Sequence, residues 1–235
     1  MPAISLRATV ERIESLSYNV RGFRFKLIEP PTLEFKAGQF VILNVPKNGA
    51  VVKRAYSIAS PPYEQGILEC AIQHVEGGIA STYLWQLKEG DPIALSGPHG
   101  KFVLAEPVDY DPVFLALGTG VAPLRAMIKH LLSLNITRDV WLLFGCRYEH
   151  ALLYESEFRS LANMRHNFHY IPTVSRPKDW HGEVGHIQQT FQKYITDPSN
   201  KQMYLCGWLE VVKAVCADLE SYGVQKDKLH YEEWA

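Results

Sequence analysis

The chain is poor in cysteine and has none at ligand spacing. Its four cysteines, Cys70, Cys146, Cys206 and Cys216, are scattered through 235 residues. No Cys-x-x-Cys pair or longer run holds an iron–sulfur cluster, and no metal site is expected. A disulfide framework is not expected either, because nothing points to secretion. No apolar run approaches the roughly 20 residues that cross a bilayer, so membrane insertion is not expected. The start, Met1-Pro2-Ala3-Ile4-Ser5-Leu6-Arg7, lacks the apolar core of a signal peptide, which gives a cytoplasmic expectation. Net charge is only −1. Nucleic-acid binding would need a denser basic stripe than this chain has. Internal repeats and low-complexity segments are absent.

What remains is a globular composition, 47% hydrophobic, long enough for one large domain or two modest ones. Up to residue 105 the chain shows short alternating runs: Ser5–Ser15, Tyr18–Ile28, Gln39–Val45, Ala55–Ala59, Ile67–Val75 and Pro92–Leu95. Gly38, Gly49, Gly66, Gly90 and Gly97-Pro98 punctuate them. This spacing predicts an antiparallel sheet closed into a small barrel, interrupted by a helix over Ser81–Leu87. Glu106 to Pro112 reads as a linker. From Val113 the rhythm changes to strands at 113–117, 140–145, 168–174, 202–206 and 228–231, alternating with helices near 122–134, 150–163, 186–195 and 209–222. Strands such as Val113-Phe114-Leu115-Ala116-Leu117 are apolar throughout, as those buried on both faces are. The fold class expected is therefore a two-domain chain. An N-terminal antiparallel β-barrel spans residues 1–106, and a C-terminal α/β domain with a parallel, nucleotide-binding sheet spans 107–235.

Several stretches carry chemistry. In Arg54-Ala55-Tyr56-Ser57-Ile58-Ala59-Ser60 a strand sends Arg54, Tyr56 and Ile58 to one face. Tyr56 suits stacking on a flat ring, Ser57 a hydrogen bond to its edge, and Arg54 a phosphate. The alternative is a barrel strand with a surface arginine and a half-buried tyrosine. Gly77 and Gly78 precede Ser81-Thr82, where a helix N-terminus would hold phosphate or Ser81 would simply cap the helix. Gly118-Thr119-Gly120 follows the first apolar strand, with Pro123 suited to the next helix's first turn. Leu124 and Arg125 follow, so this is not a Gly-x-Gly-x-x-Gly fingerprint; a pyrophosphate loop and a plain turn both remain open. The second strand of this half ends at Cys146-Arg147 with no acid, and the third at Ser175-Arg176. Arginine there accepts an adenosine 2′-phosphate, whereas an acid binds the 2′-hydroxyl. Cys206-Gly207 ends the fourth strand, where ligands bind in such sheets, although a small core cysteine reads the same way. Residues 1–60 hold nine Lys/Arg against four Asp/Glu, a balance of +5 that leaves −6 for the remainder. A basic half steers an acidic partner, or is only solvated.

Three of these stretches, R-A-Y-S-I-A-S at 54–60, Gly118-Thr119-Gly120-Val121-Ala122-Pro123, and Tyr204-Leu205-Cys206-Gly207, together resemble the motifs of the ferredoxin–NADP reductase family, in order, across nearly the whole chain. Gly97-Pro98-His99-Gly100-Lys101-Phe102 resembles that family's turn at the end of its barrel, and a structural role is expected for it. The resemblance implies FAD in the barrel, preferred over FMN on that ground alone, and NADP(H) in the α/β domain. It also implies hydride transfer between the two, with electrons passed on to a ferredoxin, a flavodoxin or another redox protein docking near the basic N-terminal domain. The implied cofactor-binding set is Arg54, Tyr56, Ser57, Ile58, His74, Gly77, Gly78, Ser81 and Thr82, then Gly118, Thr119, Gly120, Pro123, Arg147, Tyr154, Ser175, Arg176, Cys206, Gly207 and Trp234. Cys206, Tyr56, Ser57, Trp234 and Glu233 form the implied catalytic set. Trp234 stands for the aromatic that covers the flavin, or is a packing anchor, and Glu232 or Glu233 delivers a proton. The chain departs from the family at His186, where relatives place an arginine, at Trp208, and at Ala235, which follows the terminal aromatic. Two alternatives stand beside this reading. One is an NADH-dependent reductase, using NAD(H), for an oxygenase, free flavin or a quinone. The other is a non-catalytic subunit, against which the retained Arg54, Tyr56, Ser57, Gly118 and Gly120 speak.

Overall fold

A computed structural model describes residues 2–234. The chain divides into two compact units. The first comprises residues up to Leu104 together with Arg125–Leu134; the second comprises Ala105–Leu124 and the residues from Asn135 onward.

The first unit contains strands β1 (Ile4–Ser17), β2 (Val20–Glu29), β3 (Phe40–Lys47), β4 (Ala50–Ser57), β5 (Ile67–Gln73) and β6 (Pro92–His99), with helix α1 (Ile79–Gln86) between the last two. All pair antiparallel in the order β4-β3-β6-β1-β2-β5, and the edges β4 and β5 approach each other in a barrel-like closure. Alternation decides which way each strand faces. Leu6, Ala8 and Val10 of β1, Val41, Leu43 and Val45 of β3, and Ile93 and Leu95 of β6 all point into one core, joined by Phe23, Phe25, Leu68 and Ile72. A one-residue slip in any of these strands would turn that set to solvent, so the pattern also fixes the register.

Two local readings differ from the expectation. The strand expected over Ala55–Ala59 begins at Ala50, because Asn48 (φ 49°) and Gly49 (φ 80°) form a two-residue turn that pairs Lys47 with Ala50. Both left-handed φ values suit a tight hairpin. Gly97-Pro98 is not the turn it was read as: both lie inside β6. Gly97 is needed there because a Cβ would press on Val41 Cγ1 at 2.8 Å.

The second unit alternates strand and helix: β7 (Asp111–Leu117), α2 (Val121–Ser133, its residues from Arg125 counted with the first unit), β8 (Val140–Cys146), α3 (Glu155–Met164), β9 (Phe168–Val174), β10 (Glu183–Val184), α4 (Ile187–Tyr194), β11 (Lys201–Trp208), α5 (Leu209–Ser221) and β12 (Leu229–Trp234). The sheet is parallel, ordered β10-β9-β8-β7-β11-β12. Val113, Leu115, Leu143 and Leu205 meet Ile187 and Phe191 of α4 and Val212 and Val215 of α5 on one face. Phe158 of α3 lies against Phe168 and Tyr170 on the other. Three details go beyond the sequence pattern. α3 starts later than expected, after a 3-10 turn at Glu149–Ala151. The two-residue β10 is too short to have a periodicity. The last strand runs on to Trp234, so this tryptophan sits in the sheet rather than on a loose tail. Ala235 lies outside the described residues. Among those described, no helix is long and apolar enough to cross a membrane.

Candidate functional site

In the first unit the site is built on the edge strand β4. Antiparallel pairing sets Tyr56 opposite Val41, Arg54 opposite Leu43 and Ser57 opposite Phe40. Tyr56 packs against the core and is half-buried. Burial pushes its phenol up to about 12, the nearby Cys70 adding to the rise and Arg54 opposing it. Among the described residues its hydroxyl has no partner. Arg54 is exposed, donates to its neighbour's carbonyl (Lys53 O, 2.9 Å), and has no ion pair among the described residues. A half-buried ring with an unused hydroxyl beside an unpaired cation fits a flat ligand that carries phosphate. Ser57 is half-buried and Ile58 wholly buried.

α1 supplies the second piece. Gly77 has φ 71°, and Gly78 stands at the helix N-cap with no side-chain cap. No acid occupies the first turn, so its amides and dipole are available to an anion. Ser81 and Thr82 part company. Ser81 Oγ accepts the Val75 amide at 3.1 Å and lies 3.2 Å from the Val75 carbonyl, so its hydroxyl braces the loop. Thr82 is exposed. His74 is exposed with its ring 4.9 Å from Trp85, and the Arg21 guanidinium lies over the Trp85 ring at 4.2 Å.

In the second unit the strand order reverses at β7. The chain winds outward through β8 and β9, then returns to β11 and β12 on β7's other side. At such a switch point a crevice opens beyond the carboxyl ends of the strands. Gly118-Thr119-Gly120 follows β7 there, and Cys206-Gly207 lies beside it just before the last residue of β11. The two glycines have different reasons. Gly118 has φ 57° with open space where a Cβ would stand, whereas a Cβ on Gly120 would collide with the Cys206 carbonyl. The first leaves room for a ligand; the second is required by the protein's own packing. Pro123 lies in the first turn of α2 and is buried.

Cys206 is wholly buried, and burial, reinforced by Glu232, pushes its thiol well up. Glu232 is its cross-strand partner. Burial raises that carboxyl to about 7. Glu233, the acid taken from the sequence as catalytic, is exposed on the other side of β12, so Glu232 is the carboxyl the structure brings to Cys206. Trp234 is half-buried opposite Trp208, which is 54% exposed.

Beyond β8 and β9 the pairing continues. Ser175 N–H donates to the Cys146 carbonyl (3.0 Å) and Arg176 N–H to the Arg147 carbonyl (2.8 Å). This sets two exposed arginines side by side, neither with an ion pair among the described residues. Glu149 accepts the amides of Lys178 (3.4 Å) and Asp179 (3.3 Å), holding the loop behind Arg176. Tyr154 is half-buried at the N-cap of α3 with φ 57°, its ring edge-on to Phe158. His186 caps α4, reciprocated by Gln189.

Sequence reasoning passed over Arg125 and Glu69, two buried charges in the first unit. One signal was present for the first: an arginine inside the apolar run Val121-Ala122-Pro123-Leu124 and Ala126-Met127-Ile128.

Residues 7–104 match the family described as "Oxidoreductase FAD-binding domain", and residues 114–217 match "Oxidoreductase NAD-binding domain". The chain is 33% identical to ferredoxin–NADP reductase B of Sorangium cellulosum over 97% of its own length and 96% of that protein's. It is 37% identical to the phenol hydroxylase P5 protein of Acinetobacter pittii over 86% of its length, and spans only 57% of that relative. Among solved structures, the Amycolatopsis cytochrome P450 reductase GcoB superposes with a TM-score of 0.90 at 29% identity, over 99% of this chain and 70% of that one.

Proposed function

This chain belongs to the ferredoxin–NADP reductase family of FAD- and NAD-binding oxidoreductases, and on that basis we propose that it oxidises NADPH and delivers the electrons to a ferredoxin- or flavodoxin-type carrier. The observation that carries the assignment is the adjacency of Gly118-Thr119-Gly120 and Cys206-Gly207 at the switch point of the second unit's sheet. Bound FAD would supply the chemistry, taking a hydride from the nicotinamide and releasing electrons singly.

The chain's own residues bind, orient and hold protons. Residues 1–106 are proposed as the flavin-holding part and 107–235 as the nucleotide-holding part. Tyr56 offers a ring face, Ser57 a hydroxyl, and Arg54 with the α1 amides a counter-charge for phosphate. Gly77, Gly78, Thr82, Ile58 and His74 complete the proposed flavin set, while Ser81 serves it through the loop it braces. In the second unit Gly118 gives room for a pyrophosphate at the N-terminus of α2. Arg147 and Arg176 suit an adenosine 2′-phosphate, Tyr154 the adenine face, and Trp234 the rim of the Cys206 site. The thiol of Cys206 stays neutral in its burial, so it aligns a ligand without adding charge. Glu232, raised to about 7, exchanges a proton on its carboxyl near neutral pH.

For the carrier, the β3–β4 hairpin is the proposed landing edge. Residues 35–63 contain no acid, and Lys47, Lys53 and Arg54 are all exposed on this hairpin. Such a field steers an acidic protein. A second reading has support from the relatives: the P5 protein belongs to phenol hydroxylase, and this chain spans little more than half of it. In that reading the chain serves an oxygenase and prefers NADH.

Anaerobic mixing of the purified, FAD-loaded protein with NADPH or NADH, followed at the oxidised-flavin absorption band, tests the choice. Fast bleaching by NADPH and slow bleaching by NADH is expected, with Arg176→Ala abolishing the difference. The reverse preference would favour the oxygenase reading, and protein that takes up no FAD would overturn both.

A further inference from the structure

The flavin-proposed strand ends in a segment clamped from every side, and one clamp comes from α2. Ile58 N–H donates to the Gln39 carbonyl at 3.0 Å and Ala59 N–H to the Glu69 carbonyl at 2.7 Å. Ser60, wholly buried, accepts the Glu69 amide at 3.1 Å and lies 3.3 Å from the Ile67 carbonyl. The Ala59 carbonyl accepts from Arg125 Nη1 at 2.8 Å. Arg125 is only 6% exposed and lies on α2, whose residues from Arg125 onward pack within the first unit.

The guanidinium is not left as a lone buried charge. Glu69, also 6% exposed, stands 3.4 Å from the same Nη1 and 3.4 Å from Arg24. Arg24 reaches Glu64 at 3.3 Å and Glu11 at 3.5 Å, and Lys129, one helical turn after Arg125, reaches Glu64 at 3.3 Å. In these pairs the acids Glu69, Glu64 and Glu11 offset the bases Arg125, Arg24 and Lys129. Only the Arg125–Glu69 pair among them is buried, and a buried ion pair adds little net stability over an apolar equivalent. What it does offer is direction: a charged donor held at a fixed place and aimed at one backbone carbonyl.

We propose that Arg125 is a positioning residue for the flavin site: by holding the Ala59 carbonyl it fixes the backbone that sets Tyr56 and Ser57 against the cofactor. This rests on the flavin reading of the first unit. Glu69 serves Arg125 by neutralising and orienting it, so the carbonyl bond is the effective contact and the ion pair is secondary.

The test compares Arg125→Met, Arg125→Lys and Glu69→Gln with the unaltered protein. The FAD dissociation constant is read by flavin fluorescence, alongside the flavin circular-dichroism band, the melting temperature and the KM for NADPH. Losing one charge-assisted bond to the carbonyl is expected to weaken FAD binding roughly tenfold in Arg125→Met. The flavin band should change and the KM for NADPH should not. Arg125→Lys, which keeps a cationic donor, should stay within about threefold of the unaltered protein, and Glu69→Gln, which keeps the carbonyl bond, likewise. If Arg125→Met does not fold, the double variant Arg125→Met/Glu69→Met leaves a smaller buried imbalance and should show the same loss of FAD affinity. Unchanged FAD affinity in the folded methionine variant overturns the proposal, as does an equal loss in Glu69→Gln. Unaltered protein that binds no FAD would instead overturn the flavin reading itself.

Discussion

At the scale of single residues, position in the strand decides which of two adjacent acids faces Cys206. Glu232 and Glu233 follow one another, yet alternation sends only Glu232 toward Cys206, where burial lifts its carboxyl from 4.5 to about 7. The consequence for stability has a definite sign. The folded protein holds this proton more tightly than the unfolded chain does, so stability falls as pH rises from about 4.5 and levels off above about 7. Glu232→Gln should remove that slope. With Glu232 only partly buried, the expected difference between the two proteins from pH 5 to pH 8 is on the order of 1 kcal/mol. Thermal melts of both across this range measure it, and parallel curves would mean that Glu232 titrates normally. His230 shifts the opposite way, held low chiefly by its burial, so the comparison lies in the difference between variants and not in either absolute curve. Glu233→Gln, on the exposed side, should leave the profile unchanged.

At the scale of elements, the loop between β7 and α2 shows two glycines with separate duties. Gly120 lies where any side chain would strike the Cys206 carbonyl, a backbone atom that cannot swing aside. Gly118 has open space but a left-handed φ of 57°. Gly120→Ala should therefore destabilise the second unit by about 3 kcal/mol or more through overpacking. Gly118→Ala should cost about 1 kcal/mol in backbone strain, with weaker nucleotide binding as its main effect. Denaturant melts together with nucleotide titrations separate the two. Equal stability losses would mean that both glycines serve only the fold. The same separation appears in α1. Its N-terminus carries an uncapped set of amides, while the serine that reads as its cap is turned back onto the Val75 backbone.

At the scale of the whole molecule, charge is distributed unevenly along the chain, and the acid-free stretch 35–63 folds into one hairpin and the strand end after it. Lys47→Glu/Lys53→Glu should lower kcat/KM for an acidic carrier roughly tenfold at low ionic strength, with the effect fading as salt is raised. Electron transfer to a small neutral acceptor should be unaffected. Steady-state assays across a salt series check this, and a salt-independent loss would remove the hairpin as the landing edge. The two-part architecture itself was legible in the sequence, because periodicity 2 gives way to apolar strands alternating with helices near Val113. The three motifs were legible for a related reason: a ligand that needs backbone room or a counter-charge selects glycines and arginines at fixed places along the chain. Short-range chemistry of this kind is written in sequence order. The collision that fixes Gly120, the choice of Glu232 over Glu233, the turning inward of Ser81 and the grip of Arg125 on Ala59 are not written so. Each depends on atoms brought together from distant parts of the chain, such as Arg125 and Ala59 at 66 residues' separation. The sequence by itself determined the two-part order of strands and helices and the kinds of ligand they suit. Only the tertiary structure decided which side chains are free to meet those ligands, because burial and partnership are properties of the packed chain.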